Sequence, residues 1–409
     1  MKNSNILEIQ KTAFDYFQDY TNFDELSKGY GLTADHSNRK ELASIAATGF
    51  MLSSLVIGVE NKYIEKDDAL KKAVLTLKTL AFNVSHHDGF FAHFLNIQTA
   101  ERHGKCEYST IDTALCLSGV LTVDSYFKNE EISKLTKLIF NRIKWETLIH
   151  EYNGRSVLYM SYNPDLDGAY VIGRAGYIHQ WDMFAEQLMM YVMIAGSKID
   201  PIIANALYQG FDRIYGTYKK NTYISAPHNT LFIYHFPLVF LDLRKTKDKD
   251  GINWYENAKA VTKAHREASI DANYLFPWFS KHFYGFNASD TRHGYRVFGG
   301  LTNLSNRLDT DGTIAPFSIV GSLPYLKEET LVSINELKKV EGLFGKYGFY
   351  DAFNPDPIDP WMSNRYISID KGLELLSVDA YLNHTVHQAF MSHPIISKGI
   401  KILNWNKDK

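Results

Sequence analysis

WDMFAEQLMMYVMIAG, residues 181–196, is the stretch of this 409-residue chain that most constrains its fold and its chemistry. The stretch is apolar nearly all round and predicts a helix over residues 181–195. Its first turns carry Asp182 and Glu186, which a spacing of four residues places on one helix face. Charged groups in an apolar element are costly unless they are paired or used. The stretch therefore predicts a helix that begins with two acids whose presence needs a reason.

Two interpretations of these acids remain open at this point. A carboxylic acid held among Trp181, Phe184 and Met189 would have a raised pKa, because desolvation disfavours its charged form. A raised pKa is what allows a carboxylic acid to act as a proton donor at neutral pH. Alternatively, both acids complement the dipole at the start of a helix, with an arginine as partner. Spacing alone does not decide between a catalytic acid and a structural one.

Composition excludes several classes of protein. The net charge of −2 gives no electrostatic support for binding nucleic acid. The 26 Tyr and 25 Phe suit a protein that stacks on ring-shaped ligands, although most of them belong to the core. Cys106 and Cys116 are interpreted as free thiols. No signal peptide or membrane span is visible, so we expect a cytoplasmic protein as written, or a periplasmic or secreted one if a signal was removed.

Helical periodicity recurs along the whole chain and dominates the fold prediction. Helices are predicted at residues 4–19, 42–60, 66–83, 110–127, 129–142, 181–195, 201–215, 253–270, 328–343 and 369–382, with weaker candidates near 229–241, 315–322 and 384–391. Short β-like runs are predicted at 90–95, 157–162 and 169–172. The absence of βαβ alternation argues against a doubly wound sheet or a TIM barrel. Without a linker or a fixed repeat, a dozen paired helices predict one all-α domain over residues 1–409. Its expected architecture is an (α/α)6 barrel, or toroid, with short β-hairpins and long loops around an active-site cleft.

Five segments combine acids or amides with aromatic residues, as a sugar site requires: 86–94, 108–115, 181–186, 284–295 and 347–361. Aromatic faces stack on the apolar side of a pyranose, while Asp, Asn and His bind its hydroxyls. Each acid also has a structural interpretation. Asp112 completes a Ser-x-x-Asp capping pattern with Ser109, Asp290 can shape an Asx-turn, and Asp351 can order a proline-rich loop. The histidines at 86, 87 and 93 lack partners at useful spacing, so we expect no metal ion and no cofactor.

These segments, together with others, resemble the bacterial glucoamylase-like family. Its members are (α/α)6-barrel relatives of the endo-β-1,2-glucanases and of the hydrolase-like part of cyclic β-1,2-glucan synthases. The resemblance covers about residues 29–396 in collinear order. The matching segments are GLTADH (31–36), ATGFMLSSLVIGVE (47–60), DGFFAHF (88–94), STIDTAL (109–115), WDMFAE (181–186), NWYENAKAVTKAHRE (253–267), GFNASD (285–290), DGTIAPFSIVGSLPY (311–325), KYGFYDAFN (346–354) and IDKGLELL (369–376).

The resemblance implies inverting hydrolysis of a glucan or related oligosaccharide, with a β-1,2-linked glucan favoured. Inverting enzymes hold two carboxyl groups roughly 6.5–9.5 Å apart to admit a water molecule. By resemblance, Glu186 is the proton donor and Asp112 belongs to the same acidic centre as the first candidate for the base. Further candidates for the base are Asp290 and Asp370. The expected sugar contacts are Asp182, Trp181, His93, Asp351 and Asp370.

Residues 183–185 depart from the resemblance. Family members commonly have Gly and Tyr after Trp-Asp and a polar residue before the Glu, where this chain has Met183, Phe184 and Ala185. We expect this change to make part of the sugar-facing surface more apolar. It leaves open a second class of function, a non-catalytic glycan-binding protein on the same barrel. A polysaccharide lyase has less support, because its groove would favour Lys and Arg where these segments are acidic and aromatic.

Overall fold

Fourteen α-helices dominate the computed structural model, which describes residues 2–301 and 308–407. They are α1 (Lys2–Asp19), α2 (Ile45–Glu60), α3 (Lys66–Phe82), α4 (Thr110–Phe127), α5 (Glu130–Arg142), α6 (Leu188–Gly196), α7 (Pro201–Gly210), α8 (Phe232–His235), α9 (Trp254–Asp271), α10 (Pro316–Gly321), α11 (Lys327–Leu337), α12 (Ser368–Leu382), α13 (Thr385–Ser392) and α14 (Pro394–Ile402). Short 3₁₀ turns occur at Trp145–Leu148, Phe236–Val239 and Ala272–Tyr274.

The helices fall into two layers that their sequences explain. Five of them, α2, α4, α6, α10 and α12, are buried along most of their length, and every residue of α6 is buried. The sequences of α2, α4, α6 and α10 are mostly apolar or small on all faces, which a position surrounded by other elements satisfies. Helix α12 also buries the charged residues Asp370, Lys371, Glu374 and Asp379. The amphipathic α3, α5 and α9 bury one face each and expose the other. The result is a helical barrel in which an inner layer is covered by an outer one.

Glycines allow the inner helices α2 and α4 to cross closely. A Cβ atom built on Gly119 would lie 2.1 Å from the carbonyl oxygen of Gly49, and one on Gly49 would lie 2.4 Å from the carbonyl oxygen of Leu115. Helix α14 crosses α6 in the same way, because a Cβ on Gly399 would lie 2.0 Å from the carbonyl oxygen of Val192. No side chain fits at these crossings without moving the backbone.

Short antiparallel strands lie in the connections between the helices. Thr33–Ala34, Leu42–Ser44 and Phe94–Asn96 form a three-stranded sheet, and Tyr108–Ser109, Arg155–Asn163, Ile149–Tyr152 and Gly176–Gln180 form a four-stranded one. The two-stranded pairs are His86–His87 with Phe90–Phe91, Ile214–Tyr218 with Asn221–Ser225, Thr246–Lys247 with Asn406–Lys407, Ala288–Thr291 with Gly294–Val297, Phe344–Gly345 with Gly348–Phe349, and Phe353–Asn354 with Trp361–Met362. Strands Leu42–Ser44 and Tyr108–Ser109 run directly into α2 and α4, so they fix where these inner helices begin.

Most predicted helices are present, and the exceptions have physical causes. The helix predicted over 181–195 begins only at Leu188, because the Gln187 side chain accepts from Ala185 N–H and donates to Met183 O, which holds a turn. The helix predicted over 201–215 ends at Gly210, and Ile214–Tyr218 is a strand. Residues 169–172 form turns rather than the predicted strand, and α14 was not predicted. The predicted domain also includes residues 1, 302–307 and 408–409, which lie outside the described residues.

Two further findings concern the two cysteines and the search for membrane-spanning helices. Cys106 and Cys116 are both buried and unpaired, as predicted. Across the described ranges, no helix combines the length and the apolarity that crossing a bilayer requires.

Candidate active site

The N-terminal ends of α4, α6 and α12 carry the acids singled out from the sequence. Asp112 lies in the first turn of α4, Glu186 just before α6 and Asp370 in the first turn of α12. Direct bonds connect the segments around them. The Trp181 indole N–H donates to Thr110 Oγ1 at 3.1 Å, and the Ser368 N–H donates to the carbonyl oxygen of Asp35 at 2.9 Å. Residues far apart in sequence thus meet at one end of the barrel.

Glu186 is presented on the turn that Gln187 holds in place. Protein atoms crowd its carboxyl group, yet part of the residue surface stays accessible. Burial raises the pKa of Glu186 to about 7, the negative charge of Asp112 adds to this, and the backbone N–H of Glu186 itself opposes it. No cation among the described residues forms an ion pair with Glu186. The group is therefore substantially protonated at neutral pH.

Asp112 has partners that suit an ionised carboxylate. Its N–H donates to Ser109 Oγ at 3.2 Å, which is the predicted helix cap, and the Ser109 hydroxyl donates to Asp112 Oδ2 at 2.5 Å. The remaining oxygen, Oδ1, lies 3.7 Å from Nε2 of His93. About 16% of the Asp112 side chain stays exposed, so capping the helix does not bury it completely. Asp112 therefore fits both interpretations, the capping of α4 and a place among the candidate catalytic acids.

His93 is the cation of this group. Its Nδ1 lies 2.7 Å from Glu107 Oε1, and its ring stacks on Phe94 with centroids 3.8 Å apart. Burial by itself would lower the pKa of His93, but the carboxylates of Asp112, Glu107 and Asp35 outweigh it and raise the pKa to about 9. An imidazolium therefore lies among three carboxylates at neutral pH.

A second group of acids surrounds Arg365. Its Nε and Nη2 bind Oδ2 and Oδ1 of Asp290 at 2.8 and 2.5 Å, and the Ser363 hydroxyl donates to Oδ2 at 2.7 Å. Both oxygens of Asp290 are thus occupied by strong, charge-assisted bonds. The Asp290 N–H in turn donates to Asp351 Oδ2 at 2.6 Å, which joins this ion pair to the acids behind it.

Asp351 and Asp370 form a buried carboxyl pair. They are 3% and 2% exposed, and their side chains hydrogen-bond to each other. Burial raises the pKa of both, and for Asp370 the charge of Asp351 raises it further. Because Asp351 already accepts the Asp290 N–H, Asp370 is the member that holds the shared proton and donates it. Their depth makes them supports of Asp290 rather than direct sugar contacts.

Sequence reasoning missed three residues that the fold brings to this site: Asp35, Glu107 and Arg365. Asp35 follows the strand Thr33–Ala34, is only partly buried, and is influenced by the charges of His93 and Arg365. Burial raises the pKa of Asp35 despite these cations. Its place in the segment GLTADH, beside a short strand and a histidine, was the available signal.

Two predicted sugar contacts occupy other places. Trp181 is buried with its N–H bonded to Thr110, so it ties the Glu186 turn to α4 and offers little ring surface to a ligand. Asp182 precedes the helix, so the spacing argument that placed it beside Glu186 fails. Its carbonyl oxygen accepts the Asp212 N–H at 2.7 Å, and its charge acts on the buried Tyr191.

The apolar residues after Asp182 do not alter the sugar-facing surface in the way expected from the sequence. Phe184 and Ala185 are buried, and Phe184 stacks on Trp254 with centroids 4.8 Å apart. Met183 forms a β-bridge with Asp212. These substitutions change core packing behind the turn. In residues 2–301 and 308–407, no group of three or more His, Cys, Asp or Glu is arranged to hold a metal ion.

Comparison with known proteins gives the family. The model of the glycoamylase family, described as “Putative glucoamylase”, matches residues 178–394, more than half of the chain. This chain belongs to the glycoamylase family. The match begins just before Trp181 and Glu186 and continues through Asp290, Asp351 and Asp370, so it includes these candidate residues and leaves Asp112 and His93 outside. The resemblance found in the sequence is thereby confirmed.

Relatives of this glycoamylase-family chain carry names that refer to β-1,2-glucans. An exo-β-1,2-glucooligosaccharide sophorohydrolase (non-reducing end) of Parabacteroides distasonis is 22% identical over 96% of this chain. The chain spans 57% of that relative. An endo-β-1,2-glucanase structure from Chitinophaga pinensis, in complex with sophorotriose and glucose, matches all of the chain and 99% of its own at 21% identity and TM-score 0.85. A β-1,2-glucanase structure from Parabacteroides distasonis matches 99% of this chain and 60% of its own at 22% identity and TM-score 0.83. At these identities the structures establish a shared fold.

Proposed function

We propose that this glycoamylase-family protein is an inverting glycoside hydrolase acting on a β-1,2-linked glucan, with Glu186 as the proton donor. The observation that carries the proposal is the contrast between two neighbouring acids. Within residues 2–301 and 308–407, Glu186 has no counter-cation, and its pKa is about 7, whereas Asp112 has a hydroxyl donor and a nearby imidazolium. Where two carboxyl groups have such different surroundings, the one without a counter-charge suits the acid role and the other suits the base role. The names of the relatives support the choice of β-1,2-linked glucose.

The proposed reaction follows from these two environments. Neutral Glu186 gives its proton to the glycosidic oxygen as the bond from that oxygen to the anomeric carbon breaks. A water molecule attacks the anomeric carbon from the opposite face and loses a proton to Asp112. The sugar product leaves with inverted configuration, and proton exchange with solvent restores both carboxyl groups. His93 and Ser109 hold Asp112 in place throughout.

The other candidates for the base are less suited to this role. Both oxygens of Asp290 are bound by Arg365 and Ser363, so taking a proton from water would break a charge-assisted bond. Asp370 is buried and already holds the proton that it shares with Asp351. Asp112 remains the acid that combines partial exposure with partners suited to its charged form.

We also propose that the barrel closes as six helix pairs, with α2, α4, α6, α8, α10 and α12 as the inner ring. The burial of the inner helices supports this arrangement, and α13 and α14 then cover the end opposite the site. An experimental structure with fewer or more than six inner helices would contradict it.

The test of the function is sugar release by Glu186→Gln. We expect the unmodified protein to release oligosaccharides from linear β-1,2-glucan, and the variant to lose about 10²–10⁴-fold in rate, the usual contribution of a general acid. Glu151→Gln, at an exposed position in the strand Ile149–Tyr152, is the matched control and keeps full activity. Proton NMR of the fresh product reports the anomer, and initial release of the α-anomer indicates inversion.

Each result has a clear consequence. Full turnover by Glu186→Gln would contradict the assignment of the acid. If the unmodified protein binds β-1,2-glucan but releases no sugar from it, the protein is a glycan-binding member of the family. Release from a different glucan alone would reject the linkage and keep the reaction class.

A further inference from the structure

Two exposed tyrosines, Tyr170 and Tyr295, are influenced by the charges of different acids of the candidate site and have no role in the chemistry described above. Tyr170 belongs to the loop 164–175, and Tyr295 belongs to the hairpin Ala288–Thr291 with Gly294–Val297. They are 70% and 47% exposed, although large aromatic side chains are usually buried. Exposed rings near acids of the candidate site need a reason.

Tyr170 is held beside Glu107 and Asp112 by a braced loop. The Ala169 N–H donates to Lys105 O at 3.1 Å, and Arg102 pairs with Asp165 at 2.6 Å, so the loop is tied to the segment that carries Glu107. Burial of its hydroxyl end, with the charges of Glu107 and Asp112, raises the pKa of Tyr170 although most of the ring is open. The ring of Tyr170 is therefore largely open to solvent, on a loop that is tied to the segment carrying Glu107.

The backbone at Tyr170 is strained. Its φ is 61°, in the left-handed region that bulky residues avoid. Strain of this kind persists where the surroundings impose it, and it concentrates at ligand sites. A glycine would satisfy the backbone better, so the chain keeps a strained tyrosine at a position where its ring is exposed.

Tyr295 lies on a hairpin strand, opposite Asp290. It is the cross-strand partner of Asp290, so the two side chains share one face of the hairpin. Crowding of its hydroxyl, with the charges of Asp370, Asp351, Asp35 and Asp290, raises the pKa of Tyr295 while nearly half of the residue stays exposed. Arg292, at the hairpin turn, donates to the carbonyl oxygen of Pro360 at 2.9 Å, which fixes the hairpin against the loop 355–360.

We propose that the rings of Tyr170 and Tyr295 are the sugar-stacking surfaces of the cleft and bind glucose units on either side of the bond to be cleaved. The proposal rests on the proposed function and adds the residues that hold the substrate. A pyranose has an apolar face that can stack on a tyrosine ring. Its hydroxyls can donate to Asp112 Oδ1, which lies 3.7 Å from His93 Nε2, beyond hydrogen-bond distance.

Binding to linear β-1,2-gluco-oligosaccharides of four glucose units, measured by calorimetry, tests the proposal. All variants are made in the Glu186→Gln background, so that no turnover interferes. We expect Tyr170→Ala and Tyr295→Ala to weaken binding about tenfold each, which corresponds to about 1.4 kcal/mol and is within the range of aromatic contacts. Phe at either position restores most of the affinity, because stacking uses the ring and not the hydroxyl. Tyr215→Ala, at an exposed tyrosine of the hairpin Ile214–Tyr218, is the control and binds normally.

Tyr170→Gly separates ligand binding from a structural role. We expect this variant to have a higher Tm than Tyr170→Ala, because glycine accepts the left-handed backbone, while its binding is equally weak. Unchanged binding by the two alanine variants would overturn the proposal, as would equal losses on replacement by Phe and by Ala. If binding depends on the two tyrosines but the unmodified protein releases no sugar, hydrolysis is rejected and the stacking proposal stands. The absence of binding by every protein, the control included, would reject both proposals.

Discussion

At the scale of single residues, the chemistry of this protein depends on the partners of each acid rather than on its type. Glu186 and Asp112 are both carboxylic acids near the start of an inner helix, yet only Asp112 has a hydroxyl and a nearby imidazolium. Asp290 forms an ion pair with Arg365, and Asp370 holds the proton that it shares with Asp351. Four acids of the candidate site thus have four different environments.

The first prediction concerns the pH dependence set by Glu186. Its pKa of about 7 means that the proton needed for catalysis is lost as the pH rises through neutrality. We expect kcat/KM for β-1,2-glucan to fall about tenfold per pH unit well above pH 7, since a single proton is involved. A pH–rate profile from pH 5 to 9 measures this. A profile that stays flat to pH 9 would show that a different group donates the proton.

At the scale of secondary-structure elements, the position of the site depends on how closely the inner helices approach each other. Strands Leu42–Ser44 and Tyr108–Ser109 set the starts of α2 and α4, and the Gly49–Gly119 contact sets their separation. The turn held by Gln187 shortens α6 and leaves Glu186 outside it. A helix over 181–195 would instead place Glu186 within a regular, apolar helix.

The second prediction tests the crossing of α2 and α4. At an exposed position within a helix, replacing Gly by Ala stabilises the folded protein by about 1 kcal/mol. At Gly119 the added Cβ would lie 2.1 Å from the Gly49 carbonyl oxygen, so the helices must separate. We expect Gly119→Ala to lower the free energy of unfolding by about 1–3 kcal/mol, as overpacking does. Denaturant unfolding measures the change, and increased stability would contradict the close crossing.

At the scale of the whole molecule, acids from distant parts of the chain share one end of the barrel, and their repulsion affects stability. His93 reduces this repulsion while it is charged. Its pKa of about 9 in the folded protein exceeds the usual value of 6.5, so its contribution is complete below about pH 6.5 and is lost as the pH rises through 9. The protein is therefore expected to lose stability between these two values.

The third prediction follows from this linkage. We expect the free energy of unfolding to fall by on the order of 2–3 kcal/mol between pH 6.5 and pH 9.5 because of His93. His93→Gln should be less stable than the unmodified protein at pH 6.5 and nearly equal to it at pH 9.5. Denaturant titrations at the two pH values measure both differences. The same difference at both values would show that His93 does not carry a charge in the folded protein.

The sequence alone determined the helical class, most helix positions and the family resemblance. Periodicity is a local property, and helices such as α1, α4 and α5 lie within two residues of their predicted bounds because their patterns and caps are local. It also singled out Glu186, because an acid within an apolar stretch is visible without a structure.

Only the tertiary structure decided which charge each acid meets. His93 and Glu107 are 14 residues apart, and Arg365 and Asp290 are 75 apart, so no local pattern predicts either pair. Asp35, Glu107 and Arg365 were missed for this reason, and Trp181 was assigned a sugar contact although packing buries it. The sequence supplies the carboxyl groups, but burial and distance set their protonation, and both are properties of the folded barrel.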